Sequence, residues 1–188
     1  KIRRKIIFKT LKQAHSSTLE FVSQCMNPSV QWRKSRVFGG NYNIMKILFV
    51  CRANVTRSQM AAALFNKNAQ GGHTAISAGT FVTDENGNSM DGHMLKETPT
   101  STYVFTCMEE NDINIQENVR RQVTPLMVAD ADMVITLVPQ ETVPLFISNS
   151  PKTVYWEVAD VLNISLEEFK KVRDRIRPLV AEFVKTLA

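Results

Sequence analysis

A cysteine, an arginine and a serine lie close together in the stretch FVCRANVTRSQM, residues 49–60. Cys51 ends an apolar run, and Arg57 and Ser58 open an alanine-rich pattern that is typical of a helix. A loop that leads from a strand into a helix N-terminus directs backbone N–H groups toward an anion, and the helix dipole favours negative charge there. Arginine adds a planar pair of donors that suits phosphate. The segment therefore predicts an anion-binding loop with a nucleophile at its base.

The residues around the cysteine support its use as a nucleophile. The positive field of the loop favours the thiolate, which is the reactive form of cysteine. Ser58 can donate a hydrogen bond to that thiolate, and Asn54 can cross-link the loop and adopt a left-handed backbone. The alternative is a small buried structural cysteine. The matched positions of Cys51, Arg57 and Ser58 favour the functional interpretation.

The elements that must position this loop follow from hydrophobic periodicity after Met45. Uniformly apolar runs, as in strands buried on both faces, alternate with patterns of helical period. The predicted strands are 46–50, 73–80, 132–138 and 152–158, and the predicted helices are 57–69, 100–111, 121–130 and a last one capped by Ser165. This alternation predicts an α/β three-layer sandwich, with a four-stranded parallel sheet and helices on both faces. Ligands of such sheets bind beyond the carboxyl ends of the strands, where Cys51 stands.

Composition fits one domain with an additional segment. The chain has 188 residues, of which 44% are hydrophobic, enough for a core. Its three cysteines, Cys25, Cys51 and Cys107, are widely spaced and indicate neither a zinc site nor a disulfide framework. This cysteine usage favours a reducing, cytoplasmic location.

The basic charge belongs to the first 44 residues. They carry nine Lys or Arg and one acid, a net charge of +8, which leaves −3 for residues 45–188 out of the total of +5. We interpret 1–44 as a basic N-terminal extension, either disordered or not part of the native protein, and 45–188 as the functional domain. The extension has little aromatic interleaving and no apolar run near the roughly 20 residues of a membrane span. Neither nucleic acid nor membrane is therefore predicted as a partner.

Four motifs together resemble a known family. They are FVCRANVTRSQMAAALF, SAGT at 77–80, RRQVT at 120–124 and a late Asp160 before the C-terminal helix. In this order they are similar to the low-molecular-weight protein tyrosine phosphatases, a family whose fold is shared with thioredoxin-coupled arsenate reductases. The resemblance covers most of residues 45–188.

The resemblance implies a mechanism and a set of site residues. Cys51 would attack phosphorus and form a phosphocysteine, while Arg57 and the loop amides bind the equatorial oxygens. Asp160 would protonate the leaving oxygen and later activate water. No metal or other cofactor is implied. The phosphate-binding loop would comprise Arg52, Ala53, Asn54, Val55, Thr56 and Ser58, with Ser77 in support.

Several positions depart from the family pattern. Val161 follows Asp160 where the family has proline, Thr56 replaces a second cysteine that can trap the nucleophile, and Asn118 stands near a histidine position of eukaryotic members. Arg52 adds positive charge at the rim.

The substrate prediction is a phosphorylated protein or a small aryl phosphate, with inorganic phosphate or another oxyanion able to occupy the loop. Val55 is closer to the aliphatic residue of tyrosine-specific members than to the threonine of phosphoarginine phosphatases. Residues 135–152 lack the cysteines that relay a disulfide in arsenate reductases. The alternatives are an arsenate reductase with a different thiol donor and a catalytically weak phosphate-binding module.

Overall fold

Four parallel strands and five α-helices make up the part of the chain that this computed structural model describes, residues 44–161 and 164–187. The strands are β1 (Lys46–Cys51), β2 (Thr74–Gly79), β3 (Met133–Thr136) and β4 (Thr153–Tyr155). The helices are α1 (Arg57–Asn68), α2 (Ser101–Glu109), α3 (Pro125–Asp130), α4 (Leu145–Ser148) and α5 (Leu166–Lys185). Two short 3-10 segments, Leu95–Glu97 and Gln140–Thr142, lie between them.

The sheet has the order β2-β1-β3-β4, with every pairing parallel. β1 is central: Cys51 pairs with Gly79 on one side, and Val50 pairs with Thr136 on the other. The chain crosses from β2 past β1 to β3, so the sheet is built in both directions from its first strand. Ligands bind at such a point, beyond the carboxyl ends of the strands.

Helices cover both faces of the sheet. On one face the Phe49 ring packs on Phe65 of α1 and on Trp156, and Phe65 packs on Phe183 of α5. The opposite face has an aliphatic cluster that includes Leu48, Val50, Val128, Val143 and Ile147. Alternate side chains of β1 thus enter opposite cores, which is why its sequence is apolar throughout. The predicted three-layer α/β sandwich is confirmed.

Most predicted elements are shorter in the structure than their sequence patterns, and two of them lose the most residues. The helix predicted over 121–130 begins at Pro125, because Gln122 forms a parallel bridge to Gly79 and Thr124 Oγ1 accepts a hydrogen bond from Met127 N at 3.2 Å. The strand predicted over 152–158 ends at Tyr155. Trp156 N still donates to Thr136 O at 2.8 Å, after which the chain leaves the sheet. The segment before α3 and the segment after β4 therefore both reach the region of the loop that follows β1.

The ends of the described segments complete the fold. Ser165 caps α5 as predicted, since its Oγ accepts from Glu168 N at 3.4 Å. Cys107 is fully buried in α2.

The prediction for residues 1–44 falls outside the described residues except at Ile44. Within the described ranges, no helix is long and apolar enough to cross a membrane.

Candidate active site

The loop of residues 52–56 joins the carboxyl end of β1 to the first turn of α1. Cys51 stands at its start and is a free cysteine with 2% of its surface exposed. The strand fixes the position of the sulfur, and the helix directs its N-terminus toward the same space. The loop also runs beside the ends of β2 and β3, since Phe81 N donates to Arg52 O at 2.9 Å and Arg57 contacts Leu137 O.

Six consecutive backbone amides, those of the five loop residues and of Arg57, are unpaired. Within the described ranges, the N–H groups of residues 52–57 donate no hydrogen bond. Backbone N–H groups are rarely left without a partner, and a run of them around a concave turn forms an anion site. These donors are therefore available to an oxyanion placed against Cys51.

Asn54 holds the loop in shape. Its φ of 54° is left-handed, and the residue is fully buried. Its Nδ2 donates to Ser58 Oγ at 2.8 Å, and its Oδ1 accepts from Arg121 N at 2.7 Å. One side chain thereby ties the loop to α1 and to the extended segment before α3.

Ser58 lies next to the proposed nucleophile. Its Oγ is 3.0 Å from Cys51 Sγ, and it receives the hydrogen bond from Asn54. Because the Ser58 hydroxyl already accepts from an amide, its own proton is free to be donated to sulfur. The role predicted for Ser58, donation to a Cys51 thiolate, is compatible with this contact and stays a prediction.

A second layer of amides continues this network. Asn118 Nδ2 donates to Gln59 Oε1 at 2.9 Å, and Gln59 Nε2 lies 3.3 Å from both the backbone oxygen and Oδ1 of Asn54. Gln59 is buried within the first turn of α1. The connection from Asn118 to Cys51 therefore runs through side chains only. Sequence reasoning did not assign Gln59 a role, although a buried glutamine within an apolar helix pattern was a usable signal.

Arg57 reaches across the ends of β3 and β4. Its side chain is 6% exposed. Nη1 donates to Leu137 O at 2.7 Å and to Val158 O at 3.3 Å, while Nη2 lies 2.5 Å from Asp160 Oδ2. The two backbone carbonyls fix the guanidinium plane at the mouth of the loop, where it can face a phosphoryl group.

Asp160 lies at the solvent side of the site. Its side chain is 56% exposed, and its Oδ1 also accepts from Val161 N at 2.9 Å. A partly solvated carboxylate beside the anion site can exchange protons with water and with a leaving oxygen. The structure thus brings together Cys51, Arg57 and Asp160, which are more than a hundred positions apart in sequence at their extremes.

A cavity of about 1150 Å³ opens in front of the loop. Apolar groups of Phe81 and Trp156 form part of its wall, together with the segment 137–144. The guanidinium carbon of Arg52 lies 5.8 Å from the centre of the Phe81 ring, a cation–π contact at the rim. The cavity has room for an aromatic ring beyond the phosphate position.

Gly79 allows the loop to approach β2 closely. A β-carbon at this position would lie 2.5 Å from Arg52 O and 2.9 Å from Asn54 N. Only glycine fits such a contact with backbone, which accounts for the glycine of the SAGT motif. Ser77, two residues earlier, is buried and lines a separate small pocket with Gln59 and Asn118. Within the described part of the chain its hydroxyl makes no hydrogen bond, so its supporting role stays a prediction.

Arg120 is a site neighbour that sequence reasoning missed. It is 3% exposed, and its Nε and Nη2 both donate to Ala53 O, at 3.2 and 3.1 Å. In the sequence it is one of two adjacent arginines in RRQVT, and charge alone cannot tell which one is buried. Among the described residues, no group of three or more His, Cys, Asp or Glu is placed to hold a metal ion.

Comparisons with known proteins agree on the fold. The family model described as low molecular weight phosphotyrosine protein phosphatase matches residues 46–188. The comparison with curated proteins gives no match.

Three solved structures illustrate the range of similar proteins. The YwlE arginine phosphatase from Geobacillus stearothermophilus is 22% identical, with 76% of this chain and 92% of that chain covered and a TM-score of 0.61. The Erwinia amylovora tyrosine phosphatase amsI is 22% identical over 82% and 99% of the two chains, with a TM-score of 0.63. An arsenate reductase in the phosphate binding state is 26% identical over 77% and 100%, with a TM-score of 0.58.

Proposed function

Because the chain belongs to the low molecular weight phosphotyrosine protein phosphatase family, we propose that it hydrolyses phosphomonoesters through a phosphocysteine intermediate on Cys51. The observation that carries this proposal is the run of six unpaired loop amides around a buried cysteine, with Arg57 at its mouth. A trigonal phosphoryl group in the transition state presents its equatorial oxygens to a ring of donors, which this loop supplies.

In the first step the Cys51 thiolate attacks phosphorus as the bond to the leaving oxygen breaks. The Asp160 carboxyl group gives its proton to that oxygen, so the product leaves as a neutral alcohol or phenol. The loop amides and Arg57 hold the three non-bridging oxygens. Ser58 stabilises the thiolate before the attack, because its Oγ lies 3.0 Å from the sulfur.

In the second step water attacks the phosphocysteine. The Asp160 carboxylate, now deprotonated, takes a proton from that water, and the bond between sulfur and phosphorus breaks. Inorganic phosphate leaves, the thiolate is regenerated and Asp160 holds its proton again. These two steps use only side chains and backbone of this chain.

We propose aryl phosphates, including phosphotyrosine in proteins, as the substrate class. The cavity wall offers the exposed ring of Phe81 to a substrate ring, next to the largely buried Trp156. Val55 is buried within the loop, and it is the aliphatic residue on which the sequence-based prediction of an aryl phosphate substrate rests. An aromatic leaving group gains contact area here that a small alkyl phosphate lacks.

The test is hydrolysis of p-nitrophenyl phosphate by the full chain between pH 5 and 8. Cys51→Ser should abolish turnover, whereas Cys107→Ser, which changes a fully buried cysteine of α2, should retain it. A quenched reaction should show Cys51 carrying the mass of one phosphoryl group. Turnover that survives in Cys51→Ser would exclude the proposed mechanism.

Arsenate reduction is the second candidate, supported by the 26% identical arsenate reductase. Of the two described cysteines, only Cys51 adjoins the loop, so a thiol from outside the described residues would have to release the product. Arsenate-dependent oxidation of glutathione or thioredoxin, without phosphatase turnover, would favour this candidate. Tight phosphate binding without either reaction would instead indicate a phosphate-binding module.

A further inference from the structure

Arg120 is a buried cation directly behind the phosphate-binding loop, and the two catalytic steps give it no part. Besides Ala53 O, its guanidinium contacts Thr83 O, 3.1 Å from Nη2, and Thr98 Oγ1, 3.3 Å from Nη1. All of these acceptors are neutral. No carboxylate of the described residues forms an ion pair with it, although the negative charges of Cys51 and Asp84 act on it from a greater distance. Burying a cation without an ion-pair partner is costly, so the position of Arg120 requires an explanation.

Hydrogen bonds hold Arg120 both at its backbone and at its guanidinium group. The Arg120 backbone exchanges two hydrogen bonds with residues 92–93, since its N–H donates to His93 O at 2.9 Å and its C=O accepts from Gly92 N at 2.9 Å. The head group then joins the loop after β1, the loop after β2 and the turn before α2. A planar group with this many contacts cannot rotate freely, so Ala53 O is held in one orientation.

That orientation sets the direction of one unpaired amide. The peptide between Ala53 and Asn54 is trans, so its C=O and N–H point in opposite directions. Arg120 occupies the carbonyl side. The Asn54 N–H therefore points away from Arg120, and it has no acceptor among the described residues. The left-handed φ of Asn54 gives the concave turn that lets neighbouring N–H groups converge on one anion.

The charge of Arg120 acts on the same space. Burial lowers the pKa of Arg120 from its ordinary value, and the negative charges of Cys51 and Asp84 oppose that shift. Arginine nevertheless stays protonated in proteins. Arg57 from α1 and Arg120 from the segment before α3 thus both border the phosphate-binding loop, with Asp160 beside Arg57 and the charge of Asp84 acting on Arg120.

We propose that Arg120 is a positioning residue of the phosphate-binding loop, which turns the Ala53 carbonyl away from the anion, directs the Asn54 N–H toward it, and adds a second buried positive charge that favours the anion. Any effect of Arg120 on turnover rests on the proposed function. Its effect on anion affinity does not, since any tetrahedral oxyanion would use the same donors.

Two substitutions in the full chain separate the two-donor contact of the Arg120 guanidinium from its positive charge. Arg120→Met removes the donors and the charge at similar length, and Arg120→Lys keeps the charge but loses the two-donor contact with Ala53 O. Arg173→Met is the matched control, because Arg173 is also a buried arginine, with 7% exposure, but contacts Glu110 and Asp174 between α2 and α5.

The first readout is inorganic phosphate affinity, measured by calorimetry without any turnover. We expect Arg120→Met to weaken phosphate about tenfold and Arg120→Lys about threefold, with Arg173→Met within twofold of the parent. The second readout is alkylation of Cys51 by anionic iodoacetate relative to neutral iodoacetamide, at one pH. This ratio should fall in Arg120→Met, because the loop then attracts an anion less strongly, and should be retained in Arg173→Met.

Either readout can overturn the proposal. A folded Arg120→Met protein that binds phosphate and alkylates like the parent would show that Arg120 only fills space. If Arg120→Met does not fold, Arg120→Lys decides, and phosphate affinity equal to that of the parent overturns the proposal. If the parent binds phosphate but hydrolyses no phosphomonoester, the proposed function fails while the Arg120 comparison still stands.

Discussion

The carboxylate of Asp160 lies 2.5 Å from Arg57 Nη2, so the proposed general acid and the phosphate-binding arginine are paired across the mouth of the site. A phosphoryl oxygen that binds Arg57 must share or displace this carboxylate. Displacement frees Asp160 to hold the proton that the leaving oxygen needs. The same pairing means that Asp160 competes with the anion in the resting protein.

Substitution of the acid should therefore separate catalysis from binding. In Asp160→Asn we expect kcat to fall by roughly 10²–10⁴-fold, the usual contribution of a general acid, with a larger loss for alkyl than for nitrophenyl leaving groups. Inorganic phosphate should bind a few times more tightly, because the carboxylate no longer occupies Arg57. Steady-state kinetics and product inhibition by phosphate measure the two effects.

Glu157→Gln is the control for Asp160, since Glu157 is another exposed carboxylate at the wall of the same cavity. Glu157→Gln should change neither kcat nor the affinity for inorganic phosphate. The assignment would be reversed if Glu157→Gln lost activity while Asp160→Asn kept it.

Asn54 combines a left-handed backbone with three side-chain hydrogen-bond contacts, and two variants can separate these roles. Asn54→Ala should lose both, with a backbone cost of about 1–2 kcal/mol and a further cost from the part-buried Arg121 N–H left without its acceptor. Asn54→Gly tolerates the positive φ and should lose only the hydrogen bonds. We expect Asn54→Ala to be the less stable and the less active of the two in urea unfolding and turnover assays.

Asp112→Ala is the matched control for backbone strain. Asp112 has a φ of 52° in the exposed turn after α2. Its loss should lower stability without changing kcat/KM. Equal activity of Asn54→Ala and the parent would contradict the role of Asn54 in shaping the loop.

Much of this site follows from sequence because its parts lie within one short segment. The run from Cys51 to Ser58 contains the nucleophile, the arginine and the loop amides, and a strand before a helix fixes their geometry. The assignment of Asp160 to this site came only from the order of motifs in the family, and its pairing with Arg57 was not predicted. Arg120 and Gln59 were missed because burial of a polar side chain depends on contacts with distant segments, which hydrophobic periodicity does not encode.

The same reasoning explains the errors at element ends. RQVTPLMVAD has a plausible helical pattern, yet its first residues pair with Gly79 and leave the helix to start at the proline. Tertiary hydrogen bonds to the edge of the phosphate-binding loop outweigh local propensity there.

Gly79→Ala tests the close approach of β2 to the loop. The added methyl group would lie within 3 Å of Arg52 O and Asn54 N, both backbone atoms that cannot move without changing the loop. We expect a loss of phosphate affinity and of kcat/KM of at least tenfold, together with lower stability. Gly87→Ala meets nothing within 4 Å but has a φ of +84°, so it should cost stability alone. Thermal unfolding and p-nitrophenyl phosphate kinetics on both variants distinguish the two, and normal activity in Gly79→Ala would contradict the contact.

The ion pairs between α2 and α5 should give stability a pH dependence. Hydrogen bonds from Arg173 and Lys170 lower the pKa of Glu110 below 4.5. Because the folded-state pKa is the lower one, the stabilisation is present in full above 4.5 and is lost as the pH falls through the folded-state pKa. Glu110→Gln should therefore lower Tm at pH 7, and the difference from the parent should shrink toward pH 3. A Tm difference that stayed constant over this range would show that the charge of Glu110 contributes nothing.

Phe81 provides the sharpest test of the aryl-phosphate proposal. Its ring is 55% exposed, so Phe81→Ala should cost little stability, but it removes an apolar part of the cavity wall and the surface under Arg52. We expect KM for a phosphotyrosine peptide to rise severalfold while KM for a small alkyl phosphate changes less than twofold, because only the aromatic substrate reaches the ring. Leu126→Ala, at a residue that is 77% exposed in α3, serves as the control for loss of an exposed apolar side chain. If both substrates were weakened equally, Phe81 would shape the loop through Arg52 and would not select for aryl groups.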